Sequence, residues 1–227
     1  MSDFSYQYLS NCKNPKKRII FLHGYNNTYE EMSHIYEKLL STTKNLGIFI
    51  PIGKQTATSD INRHSWWKIS GFDSEGKRLK QETPIEEIVY VYNQVGNILY
   101  NTSKEVNDFI DKLQQKYNFT DNQTYIAGFS QGAMLGIWTA LTRKNTIRAC
   151  FSFSGLVAAD NLLTGKIVSK PKVYLLHGKQ DKQVLYKCMD YNLKTLQNLK
   201  IETDAISFEN LDHKVSLEEI DFMVSKI

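Results

Sequence analysis

The stretch Ile126–Ala133 reads IAGFSQGA and holds a serine between two glycines, each two places away. With that spacing Ser130 fits a nucleophile on a sharp turn from strand to helix. Side chains two places either side of such a serine would crowd each other, and Gly128 and Gly132 relieve that crowding. The chemistry would be acyl transfer. Amide N–H groups at the start of the following helix would point toward an oxyanion formed at Ser130. G-x-S-x-G is short enough to arise by chance, so the remaining parts must be found elsewhere in the chain.

A serine hydroxyl needs a base to take its proton and an acid to hold that base. On a sheet of this kind the chain order is serine, acid, histidine. Of five histidines, two follow Ser130: His177 and His213. Asp181 comes a short turn after the apolar run VYLL, and with Asp181 as the acid only His213 can be the base. His213 lies in ENLDHKVSLEE, between the last predicted strand and the last predicted helix. Asp160, Asp190, Asp204 and Asp212 compete with Asp181 for the acid's role. Asp190 falls inside a predicted helix, Asp204 inside a strand, and Asp212 adjoins His213, so position favours Asp181.

An oxyanion hole takes one N–H from the residue after the nucleophile, Gln131, and one from a loop after an earlier strand. The loop FLHGYNN supplies the Tyr25 N–H as the second donor. His23 precedes Ser130 and reads as a structural histidine bonded to its own loop. The stretch Arg63–Gly71, RHSWWKISG, holds adjacent tryptophans in a polar, irregular setting. Trp66 and Trp67 read either as walls of an acyl or aromatic substrate pocket or as packing beneath a long loop.

These residues need a frame. Arg18–Leu22, Gly47–Pro51, Thr124–Ala127, Ala149–Phe153 and Val173–Leu176 are brief apolar runs, as expected of strands buried on both faces of a parallel sheet. Ile201–Phe208 alternates and predicts an edge strand, and Phe4–Leu9 predicts an antiparallel one. Helices are expected over Thr28–Lys44, Ala133–Thr142, Val184–Leu199 and Ser216–Ile227. A longer helix opens at Thr83-Pro84, with the threonine as cap and Glu86 and Glu87 facing the dipole, and runs to Tyr117 with a bend near Gly96 or Asn101. Alternating strands and helices imply an α/β doubly wound sheet, whose ligands bind beyond the carboxyl ends of the strands. Ser130 and Asp181 both fall at such ends.

The 227 residues suit one α/β domain, 1–227, and the 41% apolar and 23% charged fractions suit a soluble globular protein. The net charge of +4 comes from scattered lysines without the arginine and aromatic interleaving of a nucleic-acid groove. No apolar window reaches the length of a membrane helix, and the first residues lack a secretory h-region. Three cysteines far apart, Cys12, Cys150 and Cys188, suit reduced thiols in a cytoplasm. No HExxH, paired CxxC or P-loop is present, so neither metal nor nucleotide cofactor is implied.

Taken together, FLHG, HSWWKI, IAGFSQGAM, FSFSG, LLHGKQDKQV and the late histidine resemble the phospholipase/carboxylesterase family of α/β-hydrolases, which includes the acyl-protein thioesterases. The resemblance runs from about Arg18 to the C-terminus. It implies an α/β-hydrolase fold without a large lid and a cofactor-free serine hydrolase acting on short- to medium-chain esters. It also implies Ser130 as nucleophile, Asp181 as acid, His213 as base, and oxyanion donors at Tyr25 and Gln131. Thioesterase or lysophospholipase activity is the alternative within this chemistry, and a binding protein that keeps the fold without activity is the alternative outside it. The implied partner is a small ester or thioester, with a monomer or homodimer as the assembly. Three departures stand out: HGYNN replaces the usual H-G-L-G-D, Lys68 replaces the acid after the aromatic pair, and KQVL replaces a proline-rich turn after Asp181.

Overall fold

Alternating faces of short apolar strands decide how this chain folds. The structure is a computed structural model and describes residues 4–56, 60–68 and 80–227. Along the chain, β1 (Tyr6–Ser10) and β2 (Lys17–Leu22) precede helix α1 (Tyr29–Thr42) and β3 (Leu46–Pro51). A ribbon of β4 (Gln55–Thr56) and β5 (His64–Ser65) follows, then α2 (Ile85–Asn93) and α3 (Gly96–Tyr117). Next come β6 (Thr124–Phe129), α4 (Gln131–Thr142), β7 (Ala149–Phe153) and the short α5 (Asp160–Thr164). Strand β8 (Lys172–Gly178), α6 (Cys188–Asn198), β9 (Thr203–Phe208) and α7 (Leu217–Val224) complete the order.

Seven strands form one sheet in the order β1-β3-β2-β6-β7-β8-β9, and only the β1–β3 pair is antiparallel. This is the α/β-hydrolase arrangement, and among the described residues no separate lid domain interrupts it. Residues of β2 alternate between two cores. Ile20 and Leu22 face the layer built on α3 and α4, while Ile19 and Phe21 face α1 and α7. Both faces of β6 are covered, so every residue from Thr124 to Phe129 is buried. Continuous apolar runs in the central strands follow from that double burial. Strand β9 is the edge expected from its alternation, and it is mostly exposed or half-buried.

Three expectations change. The long helix is two helices, parted just before Gly96 where a bend was expected, and the Asn93 side chain accepts the Ala159 N–H (2.7 Å) at the break. Beyond it, a Cβ on Gly96 would lie 2.9 Å from that of Ala159, so α3 packs closely on the loop before α5. Thr83 does not cap α2: Pro84 holds the cap position, and the Thr83 hydroxyl accepts the Lys80 N–H instead (3.0 Å). Helix α6 begins at Cys188 rather than Val184, because the Val184 N–H and C=O are committed to Asp181 and His177. The ribbon β4–β5 was not expected, and Ile69, Ser70 and Gly71 of the tryptophan stretch lie outside the described residues.

Helix α4, which carries the residue after Ser130, is buried along almost its whole length and is anchored at its far end by Arg143. The Arg143 guanidinium bonds Asp121, Asp111 (2.8 Å), Gln114 (3.1 Å) and Asn107 (3.2 Å), tying α4 to α3 and to the turn before β6. Arg143→Leu would leave Asp121 buried without its cation, at a cost of about 3–5 kcal/mol. Thermal melting should show a midpoint lower by about 10 °C, on the usual size scaling.

Candidate active site

Ser130 stands between β6 and α4 with φ 53° and ψ −116°, a left-handed conformation that a non-glycine residue adopts only under restraint. The restraint is visible. The Ser130 N–H donates to the Phe153 carbonyl of β7 (2.9 Å), and its carbonyl accepts from Ala133 (3.0 Å) and Met134 (3.1 Å). A Cβ on Gly128 would lie 2.3 Å from the Gly132 oxygen, and one on Gly132 would lie 2.2 Å from the Leu22 oxygen. Neither position has room for a side chain.

His213 reaches this serine from the loop between β9 and α7. Its Nε2 lies 3.0 Å from Ser130 Oγ, and its Nδ1 lies 2.8 Å from Asp181 Oδ2. With Nδ1–H donating to the carboxylate, Nε2 is left to accept the Ser130 hydroxyl proton. The His213 ring packs on Phe129, centroids 4.8 Å apart. Asp181 is fully buried just after β8. Burial alone would raise its pKa, but hydrogen bonds from His177, His213 and the Gln183 N–H outweigh it, holding the carboxyl well below the usual range. Its Oδ1 accepts the N–H groups of Gln183 (2.8 Å) and Val184 (3.0 Å). The rival aspartates are elsewhere: Asp204 pairs with Lys172, Asp212 with Lys214, Asp160 opens α5, and Asp190 is exposed on α6.

The loop after β2 is held from three sides. The Asn26 N–H donates to Ser65 Oγ (2.9 Å), Arg63 donates to the Asn26 carbonyl (2.6 Å), and Asn27 bridges to His64. Glu31 accepts from Arg63, Asn27 and the Thr28 N–H, closing a capping box on α1. His23 is buried, bonded to the Gly24 carbonyl (2.7 Å) and the Gly53 N–H (2.9 Å), and stacked on Trp66 at 4.9 Å. Burial pushes its pKa down to about 4, so the ring is neutral and bonds the loop backbone. Among the described residues, neither the Tyr25 nor the Gln131 N–H donates to a protein acceptor. Trp66 and Trp67 are buried, and together with Phe4, Lys54, Ile98 and Glu105 they line a cavity of about 470 Å³ that does not have Ser130 or His213 among its walls.

A family model for Phospholipase/Carboxylesterase matches residues 8–227. The chain belongs to that family. An acyl-protein thioesterase 1 homolog from Dictyostelium discoideum is 24% identical over 216 residues, 92% of this chain and 88% of that protein. A probable carboxylesterase from Arabidopsis thaliana is 28% identical over 130 residues, covering 56% of this chain and 49% of its own length. Among solved structures, esterase PE8 superposes with a TM-score of 0.84 at 20% identity, covering 99% of this chain and 97% of its own. At that identity the last likeness speaks to the fold alone.

In this phospholipase/carboxylesterase family member, the turn after Asp181 has a physical use. In KQVL both Gln183 and Val184 supply N–H groups to Asp181, which a proline at either position would lack. Asn26, from HGYNN, takes up a left-handed φ of 52°. Several residues at the site were not foreseen. His177 donates to the Val184 carbonyl (2.7 Å) with Asp181 Oδ2 3.3 Å away, and the Gln131 amide bonds the tryptophan stretch. Glu219 of α7 is fully buried, accepts from Ser216, and is pushed up to about 7 by burial and by the Asp181 charge. The pairs Thr28 with Glu31 and Ser216 with Glu219 carry a legible S/T-x-x-E pattern; the others carry none. Among the described residues, no three His, Cys, Asp or Glu side chains gather as a metal site, and no helix is long and apolar enough to cross a membrane.

Gly132→Ala should yield insoluble or inactive protein, since its Cβ would meet backbone atoms that cannot move aside. Two buried groups should give opposite pH limbs in urea midpoints. The unfolded chain protonates His23 near 6.5 while the folded one resists until about 4, so stability rises with pH across that window by about 3 kcal/mol. Glu219 acts in reverse: stability present below about 4.5 is lost as pH rises to about 7. His23→Asn should remove the first limb and Glu219→Gln the second.

Proposed function

We propose that this protein is a cytoplasmic, single-domain serine carboxylesterase that cleaves short- to medium-chain esters through an acyl-serine intermediate. The observation that carries the reading is the series of hydrogen bonds from Ser130 Oγ through His213 to the buried Asp181 carboxylate. Family membership and the fold support the reaction class. As Ser130 Oγ attacks the ester carbonyl, His213 Nε2 takes its proton, and the Asp181 anion stabilises the imidazolium through Nδ1–H. The Tyr25 and Gln131 N–H groups receive the developing oxyanion. His213 then protonates the leaving alcohol, and the C–O bond to it breaks. Water attacks the acyl-serine with His213 again as base, releasing the acid and restoring the serine hydroxyl.

Acyl-protein thioesterase activity is the second reading, favoured by the Dictyostelium relative. The same atoms would act, with a thiolate as leaving group. Ser130→Ala and His213→Ala should each lower kcat by several orders of magnitude on p-nitrophenyl esters, as for serine hydrolases generally. A fluorophosphonate probe should label Ser130 alone. Native-rate hydrolysis by Ser130→Ala would sink the mechanism. Matched ester and thioester substrates of increasing chain length decide between the two readings.

A further inference from the structure

Gln131 contributes more than a backbone N–H. Its side chain is buried, and each end of its carboxamide meets a different backbone group of the tryptophan stretch. Oε1 accepts the Trp66 N–H (2.8 Å), and Nε2 donates to the Trp67 carbonyl (3.0 Å). Only one orientation of the amide satisfies both bonds, so donor and acceptor are fixed. Trp66 in turn donates its indole N–H to the His23 carbonyl (2.8 Å) and stacks on the His23 ring. His23 leads directly into the loop that presents Tyr25. A chain of contacts therefore runs from Gln131 through Trp66 to His23 and on to the Tyr25 loop.

We propose that the Gln131 side chain is a positioning residue, holding the Trp66–Trp67 backbone and the two oxyanion donors in one register. The inference rests on the esterase reading of Ser130. The acylation rate would then depend on the tryptophan stretch, because a shift of its backbone reaches the oxyanion loop through Trp66 and His23. No other side chain of this size offers one donor and one acceptor at every pH. A carboxylate keeps the acceptor for the Trp66 N–H but sets a second oxygen against the Trp67 carbonyl. A carboxylic acid restores the donor.

That difference supplies the test. In Gln131→Glu, burial beside a carbonyl favours the protonated form, so the side chain changes state at mildly acidic pH. Initial rates on p-nitrophenyl acetate, butyrate and octanoate are measured from pH 5.5 to 8 for the wild type, Gln131→Glu and Gln131→Met. Dividing by the wild-type rate at each pH removes the pH dependence that the variants share with it. Gln131→Glu should fall at least tenfold below the wild type at pH 8, mainly in kcat, and recover at least threefold in that ratio by pH 5.5. Gln131→Met, which makes neither bond, should be low at every pH. A Glu-variant ratio that does not change with pH, or a Met variant with the wild-type profile, would overturn the inference. If Gln131→Met fails to fold, the pH response of Gln131→Glu decides alone. A wild type that neither turns over these esters nor labels at Ser130 would instead overturn the esterase reading, which separates the two failures.

Discussion

Backbone crowding at Gly132 is the constraint on which the site depends. Its Cα sits where any Cβ would strike the Leu22 and His23 carbonyls, so the start of α4 is pressed against the end of β2. Gly128 meets Gly132 in the same way, and a Cβ on Gly155 would lie 2.7 Å from that of Ala133. Strands β2, β6 and β7 thus converge on α4 at spacings only glycine permits. The left-handed turn at Ser130 and the nearness of the Tyr25 loop to Gln131 both follow from this packing.

Around that junction, three histidines of one chain acquire different roles from their surroundings. His23 is sealed between the Gly24 carbonyl, the Gly53 N–H and the Trp66 ring, which leaves no place for a second proton. His177 donates a hydrogen bond from Nε2 to the Val184 carbonyl beside Asp181 and so stabilises the Asp181 turn. His213 alone reaches Ser130 Oγ. The Asp181 charge is tolerated in a fully buried position because backbone and imidazole donors converge on it, and removing any one raises the cost for the others.

Chain order and strand ends pointed to Ser130, Asp181 and His213, and the fold brings these three side chains within hydrogen-bond reach, because a mostly parallel sheet places the carboxyl ends of its strands along one edge. The strands themselves were legible for a related reason: residues buried on both faces leave continuous apolar runs. Helix starts were less so. Val184 looks helical in sequence, but its backbone groups are drawn off by Asp181 and His177, three and seven residues earlier, a competition that apolar periodicity does not record. The Gln131 amide and Arg63 were hidden for a different reason, since their partners lie 65 and 37 residues away in the chain. No local pattern encodes such contacts.

The sheet's exposed margin shows a different kind of selection. Strand β9 offers an open row of peptide groups to any passing strand, and such rows invite aggregation. On this margin Asp204 and Glu202 both engage Lys172 of the neighbouring strand, and Glu209 engages Lys179 just beyond. An incoming strand would have to dehydrate these charges to pair there. The cell thus receives a mostly parallel sheet whose β9 edge is guarded by ordinary surface ion pairs, placed where their value is in keeping other chains away rather than in holding this one together.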